Sequence, residues 1–232
     1  MTLAILLIAV AGAYLWRWRR APGAVSMKRA AAFVGGVVAV WIAVGSPLAH
    51  LDDCHLTAHM VQHLTLMTIG APLLLAGEPG LLFLGGRRLS LTVHPVVCWL
   101  AGTAVVIVWH VPALFEVGMR WHGLEHATFL VGGLLFWLPV MRPWPTVLRW
   151  SRWSIPLYLF FATMPCDALS AFLAFCGRVV YPHYGSMHGL SALADQERAG
   201  ALMWFWVTIA YLVPAAAATV ELLSPARSKR TS

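Results

Sequence analysis

The sequence predicts an all-α, polytopic membrane bundle of seven transmembrane helices, and three observations predict it. Of 232 residues, 60% are hydrophobic and 11% are charged, whereas a water-soluble domain carries about 25% charged residues. Seven apolar runs recur along the chain, at residues 2–18, 30–49, 56–77, 91–110, 122–141, 154–176 and 199–223, and a crossing takes about 20 residues. The third observation is the placement of the basic residues. Arg17, Arg19, Arg20, Lys28, Arg29, Arg87, Arg88, Arg142, Arg149, Arg152, Arg227, Lys229 and Arg230 all fall in odd-numbered connections or the tail, while only Arg120, Arg178 and Arg198 fall on the other side. Basic residues collect in cytoplasmic loops, so the N-terminus is expected outside and the C-terminus in the cytoplasm.

Each run has its own boundaries. The first is followed, not preceded, by arginines, which is the wrong order for a signal peptide and marks a retained helix. The third ends at Gly77-Glu78-Pro79-Gly80, a poor helix interior. The fourth closes on Trp109-His110-Val111-Pro112, and the fifth on Arg142-Pro143-Trp144-Pro145. The sixth carries Pro165, which predicts a kink. The seventh follows Asp195-Gln196-Glu197-Arg198 and ends at the polar tail. One transmembrane domain over 1–223 and a cytoplasmic tail over 224–232 account for the chain. The net charge of +7 is dispersed at helix ends without a binding motif, which excludes nucleic acid and leaves membrane lipid as the partner of these residues.

With this orientation, His50, His55, His59, His63, His110, His122, His126, His183 and His188 lie in the outer half or outer loops, and only His94 is inner. An ionisable group inside a membrane marks function by default. His59 and His63 stand four residues apart on one helix, as do His122 and His126 on another, and such pairs share a face and bind one metal ion. Four imidazoles from two helices form the expected metal site, with His110 a further candidate. His50, His55, His183 and His188 read as loop or packing residues. Met60, Met67, Met164 and Met203 add thioethers, which favour copper, above all Cu(I), over Mg²⁺ or Ca²⁺. Met67 and Met203 are the soft donors expected to supplement the site.

Three acids accompany these ligands. Glu125 lies inside His122-Gly123-Leu124-Glu125-His126, the order of some zinc peptidases; it equally suits a partner that orients a metal-bound imidazole. Asp167, in Met164-Pro165-Cys166-Asp167, needs a partner or a wet cavity within the bundle. Asp195 joins them as a coupling residue. Cys54 and Cys176 leave an external disulfide open. Besides copper binding, two other readings stand: a b-type haem protein, which would need opposed axial histidines, and an intramembrane zinc peptidase.

Several strings resemble a known family. They are His59-Met60-Val61-Gln62-His63 followed by Ala71-Pro72-Leu73-Leu74-Leu75-Ala76-Gly77-Glu78-Pro79, then Trp109-His110-Val111-Pro112-Ala113-Leu114, His122-Gly123-Leu124-Glu125-His126, Leu135-Phe136-Trp137-Leu138-Pro139-Val140, and Ala194-Asp195-Gln196-Glu197-Arg198-Ala199-Gly200-Ala201-Leu202-Met203-Trp204. In this order they are similar to the CtaG family of caa3-type cytochrome c oxidase assembly factors, over residues 46–223. The resemblance implies a multi-pass protein of the bacterial cytoplasmic membrane that matures a haem-copper oxidase by supplying copper to its CuB centre, without turnover chemistry of its own. It implies subunit I of the oxidase and a copper donor protein or transporter as partners. It makes His59, His63, His110, His122 and His126 the ligand candidates and places Asp195 and Gln196 at the outer mouth of the last helix.

Overall fold

A computed structural model of the chain describes residues 2–21, 23–46, 49, 51–52, 54–83, 94–141, 151, 153–184 and 191–224. His50, His188, Arg87, Arg88, Arg142, Arg149, Arg152 and residues 225–232 of the tail lie outside them. Among the described residues every regular element is helical. The helices are α1 (Thr2–Arg20), α2 (Met27–Gly45), α3 (Leu56–Thr65), α4 (Ala71–Ala76), α5 (Pro79–Phe83), α6 (Pro95–Trp109), α7 (Pro112–Gly118), α8 (His122–Met141), α9 (Ser154–Phe175) and α10 (Ala192–Leu223). A π-helical turn, Leu66–Gly70, joins α3 to α4.

Five helical units are long and apolar enough to cross a membrane: α2, the α3–α4 unit, α8, α9 and α10. The α6–α7 pair makes a sixth if its bend of 89° is one broken span. That bend is the main departure from the expected fourth run. His110 ends α6, and Pro112, which cannot continue the helical hydrogen-bond ladder, opens α7 in a new direction. α1 covers the first run and is not among the spanning candidates; Tyr14 stacks on Phe33 of α2 at 3.9 Å and donates to the Gly77 carbonyl at 2.7 Å. Large apolar side chains such as Phe205 (70% exposed) and Val131 (54%) cover the outside, a surface suited to hydrocarbon rather than water.

The π turn follows from sequence and packing together. Pro72 has no N–H to give to the ladder, and the Ala71 N–H reaches back five residues to the Leu66 carbonyl. The Met67 carbonyl is thereby released from its ordinary helical partner and accepts from Trp137 Nε1 at 2.9 Å. Gly133 permits that close approach of α8, since a Cβ there would stand 2.9 Å from the Met67 Cα and 3.0 Å from its carbonyl oxygen. The turn adds a residue to the helix and so re-aims everything after His63.

α10 begins at Ala192, about two turns before the expected last run. Its polar first turns are accommodated because Asp195 and Gln196, the two buried polar residues there, each have a structural partner. Ser191 caps the helix, and Gln196 holds the 173–180 segment through Leu173, Arg178 and Val180.

Candidate metal centre

The buried stripe of α8 is Glu125, Phe129, Gly132, Gly133 and Phe136, spaced by four and three residues as a core-facing helix requires. Glu125 is therefore the residue of the His122–His126 string that points fully into the bundle, and the two histidines flank the stripe, both partly exposed. Facing it, α3 buries His59 and His63 with their rings 4.2 Å apart. Phe129 stacks on His63 at 3.9 Å and fixes its plane.

His59 Nε2, His63 Nε2 and a Glu125 oxygen converge. Glu125 Oε1 lies 3.4 Å from His59 Nε2 and 3.6 Å from His63 Nε2, and these three residues offer ligand atoms all within 4.8 Å of one another. Neither nitrogen of His63 and neither oxygen of Glu125 has a hydrogen-bond partner among the described residues. Unpartnered buried polar atoms are costly, and two lone-pair-bearing atoms facing each other require a proton or a metal ion between them. The donor set fits such an ion: two imidazoles and a carboxylate suit first-row metals, with imidazole at home on copper or zinc.

The far side of His59 is held by a residue that helical spacing does not reveal. Asp52, in the turn before α3, accepts from His59 Nδ1 at 2.6 Å; in the neutral ring the Nε2 lone pair then faces Glu125, and in the protonated ring an N–H does. Carboxylates in this position orient metal-binding imidazoles and raise their basicity. Burial raises the Asp52 pKa, but the hydrogen bond and charge of His59 lower it by more, so the carboxyl sits below its ordinary value. Asp52→Asn keeps an acceptor and loses the charge; it should lower Cu(I) affinity by about 10- to 100-fold, measured by competition with a Cu(I) indicator, and unchanged affinity would remove Asp52 from the site.

The remaining candidates separate. His126 Nε2 bonds to Gln62 Oε1 at 3.0 Å, and its ring centroid is 5.6 Å from that of His63. The His122 ring is a further 6.2 Å from His126. His110 donates through Nδ1 to the Val106 carbonyl at 2.7 Å and has a buried, unpartnered Nε2. With His63, Met67 and Met203 it lines a small interior cavity one turn further along α3.

Asp195 caps α3, accepting from the Leu56 and Thr57 amides at 2.6 and 3.4 Å and from the Thr57 hydroxyl at 2.6 Å. It thereby fixes the helix that carries His59 and His63. Asp167 is part-exposed on α9 and belongs neither to the His59–His63–Glu125 group nor to the cavity lining. His183 stands 3.8 Å from Glu116 at the surface, and His94 caps α6. Cys54 and Cys176 are free thiols, so no disulfide joins them.

Glu125 also explains Gly118. A Cβ at that position would come within 2.8 Å of Glu125 Oε2, so a side chain there would push the carboxylate from its place facing the histidines. Phe115 and Tyr184, with ring centroids 5.1 and 6.3 Å from that of His59, complete the cover.

A bundle that is all-helical among the described residues, with several apolar spans, exposed apolar faces and a buried imidazole–carboxylate group, defines a polytopic membrane protein with a buried candidate ion site. The model of the cytochrome c oxidase caa3 assembly factor family, Caa3_CtaG, matches residues 12–224, and the chain belongs to that family. No curated protein and no solved structure is significantly similar to it.

Proposed function

We propose that this assembly factor handles copper, receiving it at His59, His63 and Glu125 and passing it to subunit I of a haem-copper oxidase for the CuB centre. Copper is cargo here and arrives from a donor protein or transporter; no turnover chemistry is required. The observation that carries the reading is the convergence of three buried ligand atoms, among them nitrogens and oxygens without any hydrogen-bond partner. Family membership supplies the oxidase, and the sulfur side chains beside the histidines favour copper over zinc. In cells lacking the chain, oxidase polypeptides and haems should be present but CuB depleted, with partial recovery in excess copper. Full CuB occupancy in those cells would end the copper-delivery reading.

The proposal includes seven helices in the bacterial cytoplasmic membrane, with the N-terminus outside. In a background without Cys54 and Cys176, Glu116→Cys should react with an impermeant thiol reagent from outside and Lys28→Cys should not. The reverse pattern would invert the bundle.

Two other readings fit less well. The peptidase reading takes Glu125 of His122-Gly123-Leu124-Glu125-His126 as the base between two metal-bound imidazoles, but the His122 and His126 rings stand 6.2 Å apart, His126 Nε2 is bonded to Gln62, and Glu125 turns to His59 and His63 instead. A haem needs a pocket of at least about 300 Å³, whereas the cavity lined by His63 and His110 measures about 20 Å³.

A further inference from the structure

The cavity next to the histidine–glutamate group is lined by twelve residues, and four of them carry sulfur: Met60, Met67, Cys166 and Met203. The whole chain holds nine methionines and four cysteines in 232 residues, so sulfur is several-fold concentrated at this one place. His63 and His110 complete the ring of donors, and both have a buried Nε2 with no hydrogen-bond partner. The His110 tautomer is set by its Nδ1 contact to the Val106 carbonyl, which can only accept, so the neutral ring presents its Nε2 lone pair. The space is about 20 Å³, enough for one water-sized body and no more.

Two ordinary explanations are available. Methionine fills irregular cores, yet core filling gives no reason for two unpartnered imidazoles beside the thioethers. A single water could bridge two nitrogens, yet it gives no reason for sulfur. A soft monovalent cation accounts for both, since thioether, thiol and imidazole are the donors that select Cu(I).

We infer that this cavity is a second, sulfur-rich ion position for a soft monovalent cation, distinct from the His59–His63–Glu125 group and sharing His63 with it. The first position is built from nitrogen and oxygen, the second from sulfur and His110. His63 touches both, with Nε2 3.6 Å from Glu125 and its ring in the cavity wall. A neutral imidazole has one lone pair, so His63 serves one ion at a time: it is the shared ligand when an ion passes from the harder site to the softer one, and with both sites filled the second ion rests on His110 and the sulfur donors. The choice of copper rests on the proposed function; the second position itself does not.

The experiment uses the full chain in detergent, with the part-exposed thiols Cys54 and Cys176 changed to serine in the reference protein and in every variant, loaded with Ag(I) as a redox-inert probe and separately with Cu(I). The reference protein should bind two equivalents, and X-ray absorption of the copper-loaded protein should show sulfur in the metal's first shell. Met67→Leu with Met203→Leu conserves side-chain volume and should bind one equivalent, with the sulfur signal strongly reduced; retention of the remaining ion shows that the variant is folded. His59→Ala should lose the nitrogen–oxygen site and keep sulfur-bound metal. A single equivalent in the reference protein, or two equivalents in the double leucine variant, would overturn the second position. Two equivalents retained in His59→Ala would instead overturn the His59–His63–Glu125 site and leave the sulfur-rich one standing.

Discussion

His59→Ala combined with His63→Ala should reduce Cu(I) binding at the histidine–glutamate group by more than the about 10- to 100-fold that loss of an orienting partner costs. The two substitutions remove both nitrogens and leave Glu125 as a fully buried carboxylate. No water replaces the lost ligands cheaply, because α7, Phe115 and Tyr184 cover the group and a buried polar atom without a partner is costly. Equilibrium competition with a Cu(I) indicator measures the loss. An affinity within a few-fold of wild type would exclude these histidines as ligands. The wild-type affinity should also fall with pH, since protons compete with the metal for the imidazole nitrogens.

The sequence made much of this legible, and the misses have physical causes. Composition and apolar runs place α2, α3–α4, α8 and α9 within a few residues. The 32-residue α10 is longer than its apolar stretch because Asp195 and Gln196 find partners on other elements, which no local pattern records. The histidine spacing singles out α3 as the helix that buries two adjacent imidazoles. On α8 the same spacing points to His122 and His126, and the stripe Glu125, Phe129, Gly132, Gly133 and Phe136, which has the core-facing period, sets these two histidines on its flanks and Glu125 at its centre. Asp52 was out of reach, because its position depends on how the turn before α3 folds back onto His59. Gln62 stands in a conspicuous string, but nothing in the string says that its amide meets His126. Sequence alone likewise gives no sign that Met60, Met67, Cys166 and Met203 share one cavity wall, since three helices and a π turn bring them together.

Glu125→Gln separates metal handling from catalysis. The amide keeps the shape of the carboxylate and loses its charge. If Glu125 were the base of a peptidase, the variant should keep its metal and lose function, because only proton transfer is removed. Glu125 Oε1 stands 3.4 and 3.6 Å from the two imidazole nitrogens, without a hydrogen-bond partner among the described residues, and under the proposed copper reading it serves as a ligand. The neutral amide is a poorer donor to a cation in a buried site, where charge is worth more than in water. Glu125→Gln should therefore lower copper content and oxidase assembly together, by about 100-fold in affinity, and excess copper in the medium should restore part of the assembly. Copper occupancy and oxidase activity measured side by side in cells carrying the variant decide the matter. Normal copper with no assembly would assign Glu125 to chemistry, or to release of the ion, and not to its binding.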